Sequence, residues 1–414
     1  MECHYWYLES VSICGVLGKV EITVPSKEED VGPWLIQQGF SEFFTKKDHW
    51  IIGKSLKDFF SFLKRHGIEA KVRPLDVEII QRLDHFREKD YPLAVSPRDL
   101  LFQMTWYKGR LKDPELGKIY THLIEGMFPV LASMETTPML FDGVEVYPRY
   151  NIGTTDSGRI YSTATGGFFS PQMVKAEERG QYCSPHDYKL ICADQCAMEM
   201  RIIAHLSGDK NLISVFEQDL DIHDIVARLV LNKKSKAPIT EKEREVAKGV
   251  NFLIIFGGTA YGLSQQTGMT QQRADRFIRS FYDAFPGVEE WTLKTKISAM
   301  EQGYIKSIFG RTKVINPNGN VDAELRSVQN FCVQSAAADI NTLAFRGLFH
   351  LLPLQAKMLL TLHDGVVLGC PLEVVEEACS IVHTCCENPP GLRIFGLKLQ
   401  VPLKVKVTVS NRWC

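Results

Sequence analysis

Two aspartates lie where the sequence predicts a strand to end or to turn back. Asp194 follows the strand-like run Lys189–Ala193 and precedes a helical pattern over Met198–Leu206, while Asp364 stands in the turn His363–Gly365 of a predicted hairpin. Nucleotidyl transfer by two metal ions needs carboxylates from different strands that reach the same pair of cations. A lone aspartate at a turn is more often a cap or turn residue, so these two indicate chemistry only together.

A second candidate feature is a helix that carries cations and aromatic side chains on one face. A capping box of Thr240 and Glu243 and a stop at Gly257–Gly258 predict a helix of four to five turns. Four side chains recur along it at intervals of four: Arg244, Lys248, Phe252 and Phe256. Like charges four residues apart cost about 0.2–0.5 kcal/mol on an isolated helix, which favours an anion between them, and a triphosphate is the candidate. The alternative is a surface helix whose aromatic rings reach the core.

The composition limits the class of protein. The 414 residues are 45% hydrophobic, which predicts two to four packed units, and 48 Lys+Arg against 49 Asp+Glu exclude a uniformly basic binder. Eleven cysteines without a C-x-x-C pair suit reduced thiols and make a zinc site improbable. Since neither a signal-like start nor an apolar run of membrane-spanning length occurs, we expect a soluble intracellular protein with no membrane contact.

Three parts follow one another along the chain. The pattern of apolar residues predicts a small α/β unit at residues 1–95 and a helical connection at residues 96–150. Both candidate features lie in residues 151–414. The predicted elements outside those features are strands at Tyr5–Leu8 and Trp50–Gly53, helices at Leu56–His66 and Leu116–Met134, and an alternating strand at Val401–Val409 with Lys404 and Lys406 on a wet face.

Three segments in this order resemble motifs A, B and C of the family-A DNA polymerases, the group of bacterial DNA polymerase I. They are Asp194–Arg201, Arg244–Gly257 and His363–Asp364. Supporting similarities lie at Ser157–Ser162, Asp221–His223, Phe285–Val288, Glu301–Tyr304 and Asn330–Asp339. The resemblance implies an α+β right-hand fold of palm and fingers at 151–414, preceded by a small α/β exonuclease-like domain. It also implies template-directed addition of deoxynucleotides to a primer 3′ end.

The resemblance assigns a metal and triphosphate site. Asp194 and Asp364 would hold two Mg²⁺ ions, together with the backbone carbonyl of Gln195. Lys248 would bind the triphosphate together with Arg244 and His223. The resemblance also makes Lys248 a catalytic residue, along with the two aspartates. Phosphoryl transfer spreads charge over non-bridging oxygens, so Mg²⁺ and these cations supply the stabilisation that the reaction needs.

The resemblance also assigns contacts to the sugar, the base and the DNA. Phe252 would stack beside the incoming sugar and base, with Phe256 close by, and Glu199 would crowd a ribose 2′-hydroxyl and so select deoxynucleotides. Arg201 would brace the site. The residues expected to contact the primer terminus and the template minor groove are Arg159, Arg326, Asn330, Gln334 and His363.

Three positions depart from the family pattern. Gln195–Cys196 replaces the usual Tyr-Ser after the first aspartate, which should be tolerated because the metal contact is a backbone carbonyl. Phe256 replaces a tyrosine and loses its hydroxyl. Gly365 replaces the glutamate that usually follows the second aspartate, so we expect two aspartates to suffice with weaker metal binding.

Two further departures concern whole segments. Only a short stretch separates Glu135 from Arg159, so the thumb helices are expected to be missing or reduced, and a partner protein would enclose the duplex instead. Gly53–Ile68 resembles part of a 3′–5′ exonuclease domain, but Leu8 and Phe59 fall near the positions expected for its metal carboxylates. The domain at 1–95 is therefore expected to be degenerate and structural, and 96–150 to be a helical connection with a reduced thumb.

Two alternatives to this function remain. A single-subunit RNA polymerase shares the architecture, but Glu199 at the sugar position argues against it. A non-catalytic or weakly active DNA-binding scaffold is favoured by Gly365 and the short thumb segment. Retention of Asp194, Asp364, Arg244 and Lys248 together opposes it.

Overall fold

The computed structural model describes residues 4–9, 12–17, 20–23, 44–45, 50–53, 56–84, 106–164, 167–185, 188–233 and 237–414. Helices and strands are mixed along the chain, as the predicted α+β class requires. The strands are β1 (His4–Glu9), β2 (Ser12–Leu17), β3 (Val20–Thr23), β4 (Trp50–Gly53), β5 (Arg73–Asp76), β6 (Met139–Phe141), β7 (Val144–Val146), β8 (Tyr150–Asn151), β9 (Tyr161–Ser162), β10 (Tyr182–Cys183), β11 (Lys189–Gln195), β12 (Tyr304–Lys306), β13 (Thr312–Val314), β14 (Lys357–Thr361), β15 (Gly365–Cys370) and β16 (Val405–Ser410).

The α-helices are α1 (Leu56–Arg65), α2 (Val77–Asp84), α3 (Pro114–Ile119), α4 (Phe128–Glu135), α5 (Met198–Ser207), α6 (Lys210–Glu217), α7 (Ile222–Val230), α8 (Glu241–Ile255), α9 (Ala260–Thr267), α10 (Gln271–Ala284), α11 (Pro286–Gln302), α12 (Val321–Leu351) and α13 (Val375–Glu387). A π-helical turn at Tyr120–Ile124 and a 3₁₀ turn at Glu125–Met127 join α3 to α4, so the helical run predicted over Leu116–Met134 is confirmed. Further 3₁₀ turns lie at Pro171–Met173, Ala176–Gln181, Leu372–Val374 and Leu392–Phe395.

A four-stranded antiparallel sheet in the order β14-β15-β11-β16 carries both aspartates. Asp194 lies near the end of β11, and Asp364 lies in the β14–β15 hairpin, as predicted. Side chains alternate between the two faces of a strand, so Ile191 and Ala193 enter the main core while Leu190 packs in a smaller cluster with Trp413. Asp194 shares the face of Leu190, at the open end of the sheet.

The last strand begins later than the alternating pattern predicted. It runs over Val405–Ser410, and residues 401–404 lie outside it. Pro402 has no N–H for a ladder bond, and its carbonyl accepts instead from the Arg201 guanidinium at 2.6 Å. The Lys404 carbonyl accepts from Cys196 N at 2.8 Å. These bonds hold the segment against the turn that leads from β11 into α5.

A helical layer packs beside the sheet around a second hydrophobic core. Buried side chains of α5, α7, α8, α10 and α12 meet in it, including Ile203, Val226, Val250, Phe281 and Ala337. Helix α8 begins at the predicted capping box, because Glu243 N donates to Thr240 Oγ1 at 3.3 Å and Thr240 N donates back to Glu243 Oε2 at 2.8 Å. This layer places the cation-bearing face of α8 opposite the end of the sheet.

The N-terminal unit shares its core with the central sheet. Strands β4 and β5 are parallel and are connected by α1, whose Phe59 and Phe60 are buried in the same cluster as Ile191 and Val366. At one expected carboxylate position, Phe59 is buried, while the adjacent Asp58 pairs with Arg149 at 3.2 Å. The other expected position, Leu8, lies in β1, whose side chains are outside the described part.

Glu135 at the end of α4 connects this unit to the hairpin of Asp364. It is buried and accepts hydrogen bonds from Lys57 Nζ at 2.6 Å, Ser61 Oγ at 2.5 Å and Tyr150 N at 2.7 Å. The Tyr150 hydroxyl in turn accepts from Thr361 N at 2.9 Å, at the end of β14. The N-terminal unit thus supports the sheet, although its exonuclease ancestry stays a prediction.

The segment between Glu135 and Arg159 contains short strands and turns. All of residues 136–158 are described, and β6, β7 and β8 lie among them without a helix. Thumb helices are therefore absent from this segment, and the interpretation of 96–150 as a reduced thumb stays a prediction. Within the described residues, every helix is too short or too polar to span a membrane.

Candidate active site

A cleft of about 580 Å³ opens between the end of the central sheet and α8. All three motifs contribute to its wall. The predicted site residues that line it are Asp194, Gln195, Glu199, His223, Arg244, Lys248, Phe252 and Asp364. Arg201 also lines it, whereas Arg159, Phe256, Arg326, Asn330, Gln334 and His363 lie outside this lining.

The two aspartates are held together by the backbone of neighbouring strands. Gln195 N donates to the Asp364 carbonyl at 3.1 Å, and Asn341 Nδ2 lies 3.4 Å from Asp364 Oδ1. Burial raises the pKa of Asp194, and the nearby Asp364 carboxylate raises it further. Burial likewise raises the pKa of Asp364, against the positive charge of Arg159. Two neighbouring carboxylates whose pKa values are both raised form a site that gains from a bound cation.

The donor set fits a divalent cation with oxygen ligands. Both aspartates offer carboxylate oxygens, and Gln195 can offer only its backbone carbonyl, because its side-chain Nε2 is turned away to donate to the Cys386 carbonyl at 3.0 Å. Mg²⁺ prefers oxygen ligands and commonly takes one or two carboxylates with substrate phosphates and water. Among the described residues, no group of three or more His, Cys, Asp or Glu side chains could hold a metal ion.

Gly365 leaves no room for a third carboxylate. It pairs with Asp194 across the β11–β15 ladder. A Cβ atom on Gly365 would lie 2.8 Å from the Ala193 carbonyl oxygen and 3.2 Å from Asp194 Oδ1. Glycine at this position permits the close approach of β11 and β15, and a glutamate side chain would not fit between them.

The two cations of α8 have different partners. Arg244 Nη2 lies 2.7 Å from Asp221 Oδ2, and its Nε lies 3.6 Å from Asp224 Oδ1. The start of α7 therefore supplies carboxylates to Arg244, and the triphosphate expected between Arg244 and Lys248 stays a prediction. Lys248 Nζ lies 5.7 Å from the centroid of the Phe252 ring, and no carboxylate within the described ranges lies within 4 Å of it. Lys248 is therefore a cation of the cleft wall that is available to an anion.

Asn251 is a site residue that sequence reasoning missed. It is buried, and its Nδ2 lies 2.7 Å from His223 Nδ1. With the amide donating, Nδ1 is the acceptor and the ring hydrogen is on Nε2. Burial lowers the pKa of His223, and the positive charges of Arg244 and Lys248 lower it further, which favours the neutral ring. The signal was available, since Asn251 follows Lys248 by three residues and so shares its helix face.

The loop that bears Arg159 is positioned by a buried ion pair. Gly158 has φ +76°, and a Cβ there would lie 2.5 Å from the Arg311 guanidinium carbon. Arg311 pairs at 2.8 Å with Asp339, which has no exposed surface. Burial raises the pKa of Asp339, opposed by Arg311. The sequence similarity covered Asp339 but did not reveal Arg311, which is 28 residues away in the chain.

The remaining predicted DNA-binding residues lie on α12 and in the hairpin turn. Arg326, Asn330 and Gln334 recur every four residues and are half-buried on one face of α12. The end of α8 abuts this helix, since Phe256 is the C-cap of α8 and a Cβ on Gly257 would lie 3.4 Å from Arg326 Cα. His363 is exposed in the β14–β15 turn.

Comparisons with known proteins agree with this geometry. The model of DNA polymerase family A matches residues 133–414. A thermostable DNA polymerase I of Thermus filiformis is 33% identical over 279 residues, covering 65% of this chain and 32% of the relative. The thermostable DNA polymerase I of Thermus thermophilus is 30% identical over 406 residues, covering 87% of this chain and 47% of the relative. The chain thus spans half or less of the length of these relatives.

A solved structure supports the fold over the whole chain. The POL domain of Pol1 from M. smegmatis, in complex with DNA primer-template and dNTP, superposes with a TM-score of 0.83 and 16% sequence identity. The match covers 99% of this chain and 95% of that one. At this identity the likeness concerns the fold, and it confirms the predicted α+β polymerase fold. With the family model matched over residues 133–414, the chain belongs to DNA polymerase family A.

Proposed function

We propose that this chain adds deoxynucleotides to a primer 3′ end under the direction of a DNA template. The observation that carries the proposal is the convergence of Asp194, Lys248 and Asp364, one from each of the three motifs, on one cleft that His223 also lines. Relatives named DNA polymerase I, and a fold neighbour solved with DNA primer-template and dNTP, support it.

Asp194, Asp364 and the Gln195 carbonyl are proposed to hold two Mg²⁺ ions. When bound, these ions supply charge stabilisation for the attacking and leaving oxygens of the phosphoryl transfer. The protein's part is to place two carboxylates at the junction of β11 and the hairpin. Its backbone bond from Gln195 N to the Asp364 carbonyl keeps the two carboxylates in register.

Lys248 and His223 bind the triphosphate in this proposal. Lys248 has its charge free for phosphate oxygens, and His223 donates through Nε2 while Asn251 occupies Nδ1. Arg244 joins them by exchanging one of its carboxylate partners, Asp221 or Asp224, for a phosphate. Phe252 offers an exposed ring beside Lys248 for the sugar and base, and it is stacked on Phe256 with ring centroids 6.2 Å apart.

Glu199 and Arg159 link the choice of sugar to the primer. The Glu199 carboxylate lies in the cleft wall, where its bulk would meet a 2′-hydroxyl. Arg159, Arg326, Asn330, Gln334 and His363 are proposed to contact the primer terminus and the template. The duplex beyond them would be enclosed by a partner protein, since helices are lacking between Glu135 and Arg159.

A DNA-binding scaffold without catalysis is the second candidate. Two observations favour it: the excluded side chain at Gly365 and the neutralisation of Arg244 by carboxylates of the protein. Extension of a labelled primer on a template, with dNTPs and Mg²⁺, separates the two. Polymerase function predicts products that lengthen with time and stop on chelation of the metal. Tight binding of the primer-template without any product would establish the scaffold.

A further inference from the structure

One row of the central sheet places a lysine beside the catalytic aspartate. Asp194 pairs with Gly365 on one side and with Lys406 on the other. Directly opposite residues of antiparallel strands point to the same face, with Cβ atoms about 5 Å apart. Across the three neighbouring strands, this row therefore contains Gly365 in β15, the Asp194 carboxylate in β11 and the Lys406 ammonium group in β16.

Lys406 is exposed and has no carboxylate of its own. Within the described part of the chain, no Asp or Glu oxygen lies within 4 Å of its ammonium group. Lys404, two residues earlier, differs because Asp219 binds it at 2.6 Å. The positive charge of Lys406 acts on Asp194, whose pKa it lowers together with Arg179 and Lys248.

Positive charges around the metal site offset part of the negative charge of the two aspartates before substrate arrives. The charges of Arg179, Lys248 and Lys406 each lower the pKa of Asp194, while Arg159 lowers that of Asp364, and Glu199 is a further carboxylate near Asp364. The two aspartates attract a divalent cation, these positive charges reduce that attraction, and a triphosphate adds several negative charges at the same place. Binding of the cation then depends on the nucleotide.

We propose that Lys406 tunes cation binding: its charge beside Asp194 weakens divalent-metal binding by the free enzyme and makes that binding depend on the nucleotide. This rests on the proposed function of the Asp194 and Asp364 site. Lys406 does not touch the reacting atoms. It acts through Asp194, because its positive charge lies beside that carboxylate. A lysine that serves only to protect a sheet edge would affect strand stability and leave metal affinity unchanged.

The test measures Mn²⁺ binding to the whole chain by calorimetry and by electron paramagnetic resonance, without DNA. Lys406→Gln removes the charge, and Lys189→Gln is the matched control on the same sheet. Lys189 lies five residues from Asp194, about 17 Å along β11, and on the opposite face. Asp194→Asn identifies the ion bound at this site, because it should lose that ion.

The expected result is that Lys406→Gln binds Mn²⁺ about threefold to tenfold more tightly than the parent, as removal of one unit charge near a divalent ion in a wet site requires. Lys189→Gln should match the parent. With a non-hydrolysable deoxynucleoside triphosphate analogue present, the gap between Lys406→Gln and the parent should shrink. Equal affinity of Lys406→Gln and parent, weaker binding, or an equal gain in Lys189→Gln would overturn the proposal.

These outcomes are separate from the proposed function. Metal binding is measured without primer extension. If the chain binds Mn²⁺ at Asp194 but does not extend primers, the proposed polymerase function is wrong, while the proposed effect of Lys406 on metal affinity can still be tested. A melting temperature of Lys406→Gln equal to that of the parent excludes an indirect effect through unfolding.

Discussion

Arg159 Nη2 donates to Glu199 Oε1 at 2.8 Å, joining the loop after Gly158 to the first turn of α5. Burial raises the pKa of Glu199, the nearby Asp364 carboxylate raises it further, and the ion pair with Arg159 opposes that rise. One residue expected to select the sugar is thereby bonded to one expected to contact the primer. We therefore expect substitutions at Glu199 to affect both sugar choice and primer handling.

Glu199→Ala should raise the use of ribonucleotides relative to deoxynucleotides. The smaller side chain opens space beside the sugar, and overall activity should fall because Arg159 loses its partner. Glu199→Gln is the control, because it preserves size and should preserve discrimination. The measurement is the ratio of kcat/KM for the two sugars with one template base. A ratio that stays the same in Glu199→Ala would show that Glu199 does not form the gate.

Asp194→Asn and Asp364→Asn should each reduce nucleotide addition by at least about 100-fold. Each change removes a metal-binding charge at constant side-chain size, and metal stabilisation of the transition state is worth several kcal/mol. Asp283→Asn, at an exposed position of α10, is the control and should extend primers at the parent rate. The rate of single-nucleotide addition is the measurement. Synthesis near the parent rate in either cleft variant contradicts the two-metal assignment.

Asp76 should make the stability of the chain decrease between acidic and neutral pH. Burial raises its pKa from 3.8 to about 6, against hydrogen bonds from Leu56 N and Ile79 N. A folded-state pKa above the unfolded value means that the native state binds more protons between the two values. Stability from this group is therefore full below pH 4 and is lost as pH rises through about 6.

The change should amount to about 3 kcal/mol of unfolding free energy, at 1.36 kcal/mol per pKa unit. Urea unfolding of the parent and of Asp76→Asn at several pH values measures it. The substituted protein should lack this part of the pH dependence, since Asn does not titrate. Parallel stability curves for the two proteins would refute the assignment of the effect to Asp76.

Glu135→Ala should destabilise the fold by about 3–5 kcal/mol. The change removes one of the two carboxylates beside Lys57, whose side chain is 7% exposed: Glu135 at 2.6 Å is lost, while Asp58 stays at 2.5 Å. Ser61 Oγ and Tyr150 N lose their acceptor as well, and breaking a buried, hydrogen-bonded ion pair costs about that much. Lys57→Met combined with Glu135→Leu should recover most of the loss, because no unpaired charge remains. Unfolding free energies of the parent and of the two variants decide the matter. A double variant as unstable as the single one would point to the bond from Tyr150 N instead.

DNA binding by the chain alone should be weak, salt-sensitive and limited to short products per encounter. Phosphate contacts supply much of the affinity for a duplex, and the helices that would add them are lacking between Glu135 and Arg159. Extension of a labelled primer with excess trap DNA, at several salt concentrations, measures the product length from one encounter. Long products at physiological salt without another protein would contradict the prediction.

Local signals in the sequence determined the elements of the site. The strand before Asp194, the hairpin around Asp364 and the capping box at Thr240 were all predicted, because each depends on neighbours a few residues away. The motifs also supplied Asp194, Lys248 and Asp364, which line the cleft. Where the prediction was wrong, at residues 401–404, hydrogen bonds to distant groups displaced a pattern that was otherwise typical of a strand.

Only the tertiary structure decided which charges face one another. Asp221 compensates Arg244, Asn251 orients His223, and the ladder between β11 and β16 brings Lys406 beside Asp194 from more than 200 positions away in the chain. The ladder between β11 and β15 leaves no room for a side chain at Gly365. Such pairings depend on strand register and on helix packing, and a single sequence contains no local signal for either, because register is set by the packing of whole faces.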